Sequence, residues 1–98
     1  MNKQPLYFDN MPFFSPTSSQ MWVAQPSVRG WTVISPDNEE LGSIDDDGYA
    51  YLVTSEQLGI RSVQRKTVRD CVAVVACALY SQNERQRKLK NNKQQRTE

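Results

Sequence analysis

Two aspartates and a glycine in the middle of the chain have a spacing that suggests metal chemistry. Asp45, Asp47 and Gly48 are arranged like the centre of a calcium-binding loop. In that frame the first ligand position is Ser43, and the twelfth is Thr54, where a bidentate glutamate is required. Because both ends of the loop lack their ligand, we expect an acidic turn here and no metal site.

The chain lacks the residue combinations on which most enzyme active sites depend. It contains no histidine to act as a general base or to complete a zinc site with the cysteines. Cys71 and Cys77 lie six residues apart on a predicted helix, roughly 9 Å along its axis, which is too far for a disulfide between them. Its four glycines form no phosphate-binding loop. We therefore expect no catalysis, no cofactor, and free thiols typical of a reducing, cytoplasmic setting.

Charge is divided sharply between the two halves of the chain. Residues 1–60 contain two Lys or Arg against eight Asp or Glu, a net charge of −6. Residues 61–98 contain ten Lys or Arg against three Asp or Glu, a net charge of +7. These cations suggest either phosphate binding on a nucleic acid or a solubilising tail. They are Arg61, Arg65, Lys66, Arg69, Arg85, Arg87, Lys88, Lys90, Lys93 and Arg96.

The first 20 residues combine aromatic side chains with prolines. Phe8, Phe13 and Phe14 are interspersed with three prolines, a density that argues against a helix or a central strand. We therefore expect residues 1–20 to form an irregular aromatic arm. Its phenylalanines either pack over the protein's own core or bind in a pocket of a partner, since buried aromatic residues dominate interface energetics.

The elements before residue 67 predict a small sheet. Segments 21–25, 31–35, 40–44 and 49–54 are short, rich in β-branched and aromatic residues, and separated by turns containing Pro, Gly, Asp or Asn. Such spacing predicts an antiparallel meander of three to four strands, and residues 57–66 lead from it into a helix. The expected fold is α+β, with the meander packed by one long C-terminal helix in two layers.

Residues 67–80 predict the helix around which the fold is organised. Thr67 followed by Asp70 is typical of a capping box at the helix start. Successive residues of a helix are about 100° apart around its axis, and this spacing places five apolar residues in one stripe that should face the sheet. They are Val68, Cys71, Val72, Val75 and Leu79.

The other side of this helix is also apolar, through Ala73, Val74, Cys77 and Tyr80. We expect Val74 and Cys77 to be covered by residues 5–16 or by another chain, because an exposed stripe of this size favours aggregation. Val74 and Tyr80 are thus candidate partner-binding residues, together with the three phenylalanines of the arm.

The domain boundaries follow from the same elements. We expect a single domain at residues 21–90, with the helix reaching about Leu89 and fraying into a basic polar tail at 91–98. The chain has no run of 18 apolar residues and no apolar segment typical of a signal peptide near its start. We therefore expect no membrane association.

Residues 30–80 resemble a known group of proteins in their layout. A short acidic meander is followed by Lys66-Thr67-x-x-Asp70-x-Val72, which opens an apolar helix with a basic end. This layout is similar to that of small phage-encoded accessory and host-inhibitor proteins. The resemblance implies a protein that blocks or redirects a host nuclease, defence complex or polymerase by binding it, and it transfers no site residues.

Two functions follow as hypotheses. The first is a non-enzymatic binding protein that docks on a larger partner protein or complex and modulates or inhibits it. The alternative is a small nucleic-acid-binding regulator whose basic C-terminal helix contacts phosphates. The acidity of residues 1–60 should repel nucleic acid and favours the first. A second copy of the chain is a further candidate partner.

Overall fold

Six strands and one long helix make up the fold in a computed structural model, which describes residues 4–9, 11 and 21–96, with side chains as far as Lys88. All six strands pair antiparallel in sequence order within one sheet. The α+β class and the meander are confirmed, but the sheet has more than the three to four strands predicted. The elements are β1 (Leu6–Phe8), β2 (Trp22–Pro26), β3 (Gly30–Ile34), β4 (Glu40–Asp46), β5 (Tyr51–Ser55), β6 (Ile60–Arg65) and α1 (Val68–Arg96).

The two strands that the sequence did not predict lie at the two edges of the sheet. β1 falls within the arm that we expected to be irregular, and its three residues pair with the first half of β2. Pro5 directly precedes β1, a position where a missing N–H group breaks no sheet hydrogen bond. β6 occupies most of the segment expected only to lead into the helix, and it pairs with β5.

The core lies on one face of the sheet. Residues directly opposite each other in neighbouring strands point to the same side, and Ala24 opposes Val33 while Ile44 opposes Val53. All four are completely buried. The helix packs on this face against β4, β5 and β6, and more lightly against β2.

Helix α1 begins with the predicted cap and contacts the sheet with the predicted stripe. The Asp70 amide donates a hydrogen bond to Thr67 Oγ1 at 3.1 Å, which makes Thr67 the N-cap. Leu79 is half-buried and packs against the core. The buried residues of the helix are Val68, Cys71, Val72, Val75 and Ala76.

The helix crosses the sheet from one end to the other. Near its start, Cys71 Sγ donates to the Tyr51 carbonyl at 3.7 Å, at the end that carries the β4–β5 turn. Further along, Val75 lies over Gly42, close to the β3–β4 turn at the opposite end. Its 29 residues span about 43 Å, whereas the seven residues of the longest strand span about 23 Å. The C-terminal part of the helix therefore extends past the sheet.

This extension is longer than the sequence predicted. The helix continues to Arg96, beyond the end expected near Leu89, and includes most of the segment expected to be a tail. Residues 81–96 contain neither glycine nor proline, so nothing in the sequence terminates the helix earlier.

Candidate interaction surface

In the part of the chain that the structure describes, the sheet face opposite to the helix is open. Tyr7, Val23 and Ile34 are successive cross-strand partners in β1, β2 and β3. They alternate along their strands with core residues such as Ala24 and Val33, so they lie on the side away from the helix. Among the described residues, α1 is the single helix, and it covers the other face. This row of side chains therefore forms part of the molecular surface.

An apolar groove of about 650 Å³ follows this row at the end of the sheet that carries the β3–β4 turn. Tyr7 is 65% exposed and Met21 is 42% exposed, while Val23 and Ile34 are half-buried. An exposed aromatic ring beside aliphatic side chains is typical of the centre of a protein interface. The groove is completed by Ser35, Pro36 and Asn38.

The β3–β4 turn gives the groove a preformed wall. The Asn38 amide donates to the Ser35 carbonyl at 2.9 Å, and the Ser35 amide donates to the Glu39 carbonyl at 2.9 Å. The Glu39 amide also donates to the Ser35 hydroxyl at 3.3 Å. Asn38 has a φ of 65°, a conformation that asparagine tolerates better than most residues, and Pro36 fixes the backbone where the turn begins. Because this turn is already ordered, it loses little conformational entropy when a partner binds.

The surroundings of the groove are acidic. Asp37, Glu39 and Glu40 are exposed in the turn and at the start of β4, and Glu40 is the cross-strand partner of Ile34. Strands β1–β5 contain no lysine or arginine, and Arg29 lies in the β2–β3 turn at the other end of the sheet. A surface with basic side chains around an apolar residue is the complement of this groove.

The acidic turn between β4 and β5 is a hairpin. Ser43 and Thr54, which would be the first and twelfth positions of a calcium loop, are direct cross-strand partners. Asp47 Oδ1 accepts hydrogen bonds from the amides of Ala50 at 2.8 Å and Tyr49 at 2.9 Å. These bonds hold the pKa of Asp47 below its usual value. Within the described residues, no group of three or more potential ligands could hold a metal ion.

The two cysteines are free and have different surroundings. Cys71 is fully buried on the side of the helix that faces the sheet, and burial raises the pKa of its thiol to about 11. A thiol with so little thiolate is a poor nucleophile. Cys77 lies on the outer side of the helix and is only half-buried.

The predicted partner-binding residues are not gathered at the groove. Phe8 is the cross-strand partner of Trp22 on the helix side of the sheet, and both Phe8 and Val74 are half-buried against the core. Tyr80 is also half-buried. Phe13 and Phe14 lie outside the described residues. Whether residues 5–16 cover Val74 and Cys77 stays a prediction, although both side chains are already partly buried.

The groove residues were not among those predicted from the sequence, although one signal was present. Tyr7 stands between Leu6 and Phe8, so in any strand it must point away from both of them. The surrounding prolines led us to expect an irregular segment, in which such alternation has no meaning. Val23 and Ile34 lie in predicted strands, but only their register shows that they share the open face.

The first basic group lies in β6 and at the helix start. Arg65 is the cross-strand partner of Tyr51, which is in turn the partner of Asp46. The junction with the helix therefore shares its end of the sheet with the acidic turn, and the opposite charges reduce the net potential there. The exposed cations of this group are Arg61, Arg65, Lys66 and Arg69.

The second basic group belongs to the helix extension. Arg85, Arg87 and Lys88 are exposed, and Arg87 forms an ion pair with Glu84 at 3.3 Å. Arg85 lies sixteen positions after Arg69, which is about 24 Å along the helix, so the two groups do not form one patch. The same helix contains Lys90, Lys93 and Arg96, whose side chains lie outside the described part.

Comparisons with protein-family models, with curated proteins and with solved structures find no match to this chain. In the part of the chain that the structure describes, no helix is both long and apolar enough to cross a membrane. Function is therefore inferred from the geometry and charge of the surfaces described above.

Proposed function

We propose that this chain is a non-enzymatic binding protein, which docks on a larger partner protein or complex and modulates or inhibits it. The observation that supports the proposal best is the apolar groove on the open face of the sheet, beside the β3–β4 turn and the exposed Asp37, Glu39 and Glu40. Burying Tyr7, Met21 and their neighbours drives association, and the carboxylates favour a partner whose surface is basic.

The class of partner follows from this charge. Proteins that bind nucleic acid carry basic surfaces to neutralise phosphates, and an acidic groove with an apolar centre complements such a surface. The resemblance to small phage-encoded inhibitors points to the same class, a host nuclease or defence complex in the cytoplasm. The free cysteines are in keeping with a reducing compartment.

Site-specific photo-cross-linking tests where the partner docks, because the chain offers two exposed tyrosines at opposite ends. A photoreactive phenylalanine analogue replaces Tyr7 in the groove in one protein, and Tyr49 in the β4–β5 turn in the other. We expect the Tyr7 protein to capture a discrete partner from host extract, and the Tyr49 protein to capture none. Equal capture at both positions, or capture at Tyr49 alone, would contradict docking through the groove.

Affinity for the captured partner provides the second measurement. Tyr7→Ala should weaken binding by about 2 kcal/mol, roughly thirtyfold, if the ring is a buried anchor, and Tyr49→Ala should leave it unchanged. The double variant Phe13→Ala, Phe14→Ala tests the arm in the same assay. A weakening of similar size would assign these two residues to the interface, and unchanged affinity would restrict the interface to the described surface.

Nucleic-acid binding is the second candidate, and the long basic helix favours it. Arg85, Arg87 and Lys88 are exposed on a helix that extends past the sheet and so away from the acidic β4–β5 turn at the opposite end. Titrating generic DNA and RNA at increasing salt tests this hypothesis. If these side chains bind duplex phosphates, replacing them with Gln should lower the salt slope by roughly 0.9 for each phosphate that is no longer neutralised. Binding that is unchanged by the replacement would exclude the helix as the phosphate-binding element.

A further inference from the structure

The helix extension has no surface of its own to pack on among the described residues. The stretch from Ser81 to Arg96 covers about 24 Å and has Leu89 as its single apolar side chain. Most of the stability of helices in proteins comes from tertiary packing, and the described residues give this segment none. Its basic side chains complement the acidic residues around the groove, and its one leucine suits the apolar lining of the groove.

The extension and the groove lie at the same end of the molecule but on opposite faces. The helix passes over Gly42 and leaves the sheet beyond the β3–β4 turn, on the core side. The groove lies beside that same turn on the open side, lined by Ile34, Pro36 and Asn38. A single chain cannot bring its rigid helix around to its own open face, but a second copy related by a two-fold axis at this end can.

We infer that two copies of the chain form a reciprocal dimer, in which the basic helix extension of each copy occupies the acidic groove of the other. The contact is isologous and closed, so it stops at two copies and does not propagate into a filament. The inference rests on the proposed function in one respect, the groove's preference for a basic segment with an apolar anchor. In the dimer both grooves are filled, and a docking partner must displace the helix of the second copy.

Sedimentation equilibrium of the full-length protein tests the dimer without any partner. We expect a monomer–dimer equilibrium that weakens when salt rises from about 0.1 M to about 1 M, because the Debye length falls from about 10 Å to about 3 Å. A protein that stays monomeric at low salt up to millimolar concentration would overturn the inference, while leaving docking of another partner intact.

Two matched charge reversals assign the contact to the extension. The first variant carries Arg85→Glu, Arg87→Glu and Lys88→Glu, and the second carries Arg61→Glu, Arg65→Glu and Arg69→Glu. Each lowers the formal net charge by six, from +1 to −5, so general repulsion is the same in both. We expect the first variant to raise the dimer dissociation constant about tenfold or more relative to the second. Equal effects would show that net charge alone is responsible, and would overturn the inference.

A charge swap between copies gives the most specific readout. A groove variant carries Asp37→Lys, Glu39→Lys and Glu40→Lys, and each variant is first checked for a wild-type circular dichroism spectrum. The groove variant and the extension variant should each be monomeric, because like charges then face each other. Mixed together they should form a heterodimer, in which the two reversed surfaces attract each other across one of the two contacts. A mixture that stays monomeric, while the wild-type protein is a dimer, would place the dimer contact elsewhere.

Discussion

Gly42 of β4 lies directly beneath Val75 of the helix, so close that a β-carbon at position 42 would stand 3.6 Å from Val75 Cγ2. The same added atom would stand 2.8 Å from the Thr54 carbonyl oxygen, which is closer than real β-carbons come. The neighbouring strand therefore requires glycine at position 42, and Val75 of the helix packs directly above it.

Val75→Asp tests that contact directly. Val75 is completely buried, so the substitution places an unpaired charge between helix and sheet, which costs several kcal/mol. Small domains are stable by about 5–15 kcal/mol, and we expect this one to lose its cooperative thermal transition. Ser81→Asp, on an exposed position of the same helix, is the control and should melt like the wild-type protein. Cooperative melting of Val75→Asp would mean that a different face of the helix lies on the sheet.

The helix and the central strands could be predicted because their signals are local. The Thr67 cap and the stripe from Val68 to Leu79 depend on spacing along one segment, and segment 31–35 is rich in β-branched residues. Prediction of the edge strands failed for a physical reason. β6 contains only Ile60 and Val63 as apolar residues, and its pairing with β5 depends on long-range contacts that composition does not record.

The groove could not be predicted at all, because it depends on register. A shift of one residue between β2 and β3 would move Val23 and Ile34 to opposite faces. The adjoining β3–β4 pair contains a bulge, where Leu41 is an extra residue whose carbonyl accepts a hydrogen bond from Ser55 Oγ. This bulge decides which residues of β4 lie beside Ile34, and no local pattern in the sequence indicates it.

Removing the helix cap should lower the free energy of unfolding by a small and measurable amount. Thr67→Ala deletes the oxygen that accepts the Asp70 amide, and loss of an N-cap typically costs about 1 kcal/mol. Thr67→Ser keeps the oxygen and should restore most of the stability. Urea unfolding of the three proteins measures the difference. If the alanine and serine variants were equally stable, the hydroxyl would have no capping role.

The two thiols should differ in reactivity in the native protein. Burial raises the pKa of Cys71 to about 11, and its thiol donates to a backbone carbonyl, whereas Cys77 is partly accessible. At neutral pH we expect an aromatic disulfide reagent to label one thiol in the native state and two in denaturant. Cys77→Ser should abolish native labelling, and Cys71→Ser should leave it unchanged. Rapid native labelling of the Cys77→Ser variant would show that Cys71 is accessible.

The stability contributed by Asp47 should depend on pH in a defined direction. Its carboxylate accepts hydrogen bonds from Ala50 and Tyr49, which lower its pKa in the folded state below the usual value of 3.8. As the pH falls, the Asp47 carboxylate is therefore protonated at a higher pH in the unfolded chain than in the folded protein. The stability that Asp47 contributes is present at any pH above its pKa in the unfolded chain, and it is lost as the pH falls through its lowered pKa in the folded protein.

Asp47→Ala should therefore be less stable than the wild-type protein at neutral pH, and the difference should shrink as the solution is acidified below about pH 4. Urea unfolding at several pH values measures it. Ser43→Ala, in the adjoining strand and without a titrating group, is the control, since its effect on stability should not follow the same pH dependence. If the stability difference between the wild-type protein and Asp47→Ala grew on acidification, the prediction would be wrong, because the folded state would then stabilise the protonated carboxyl.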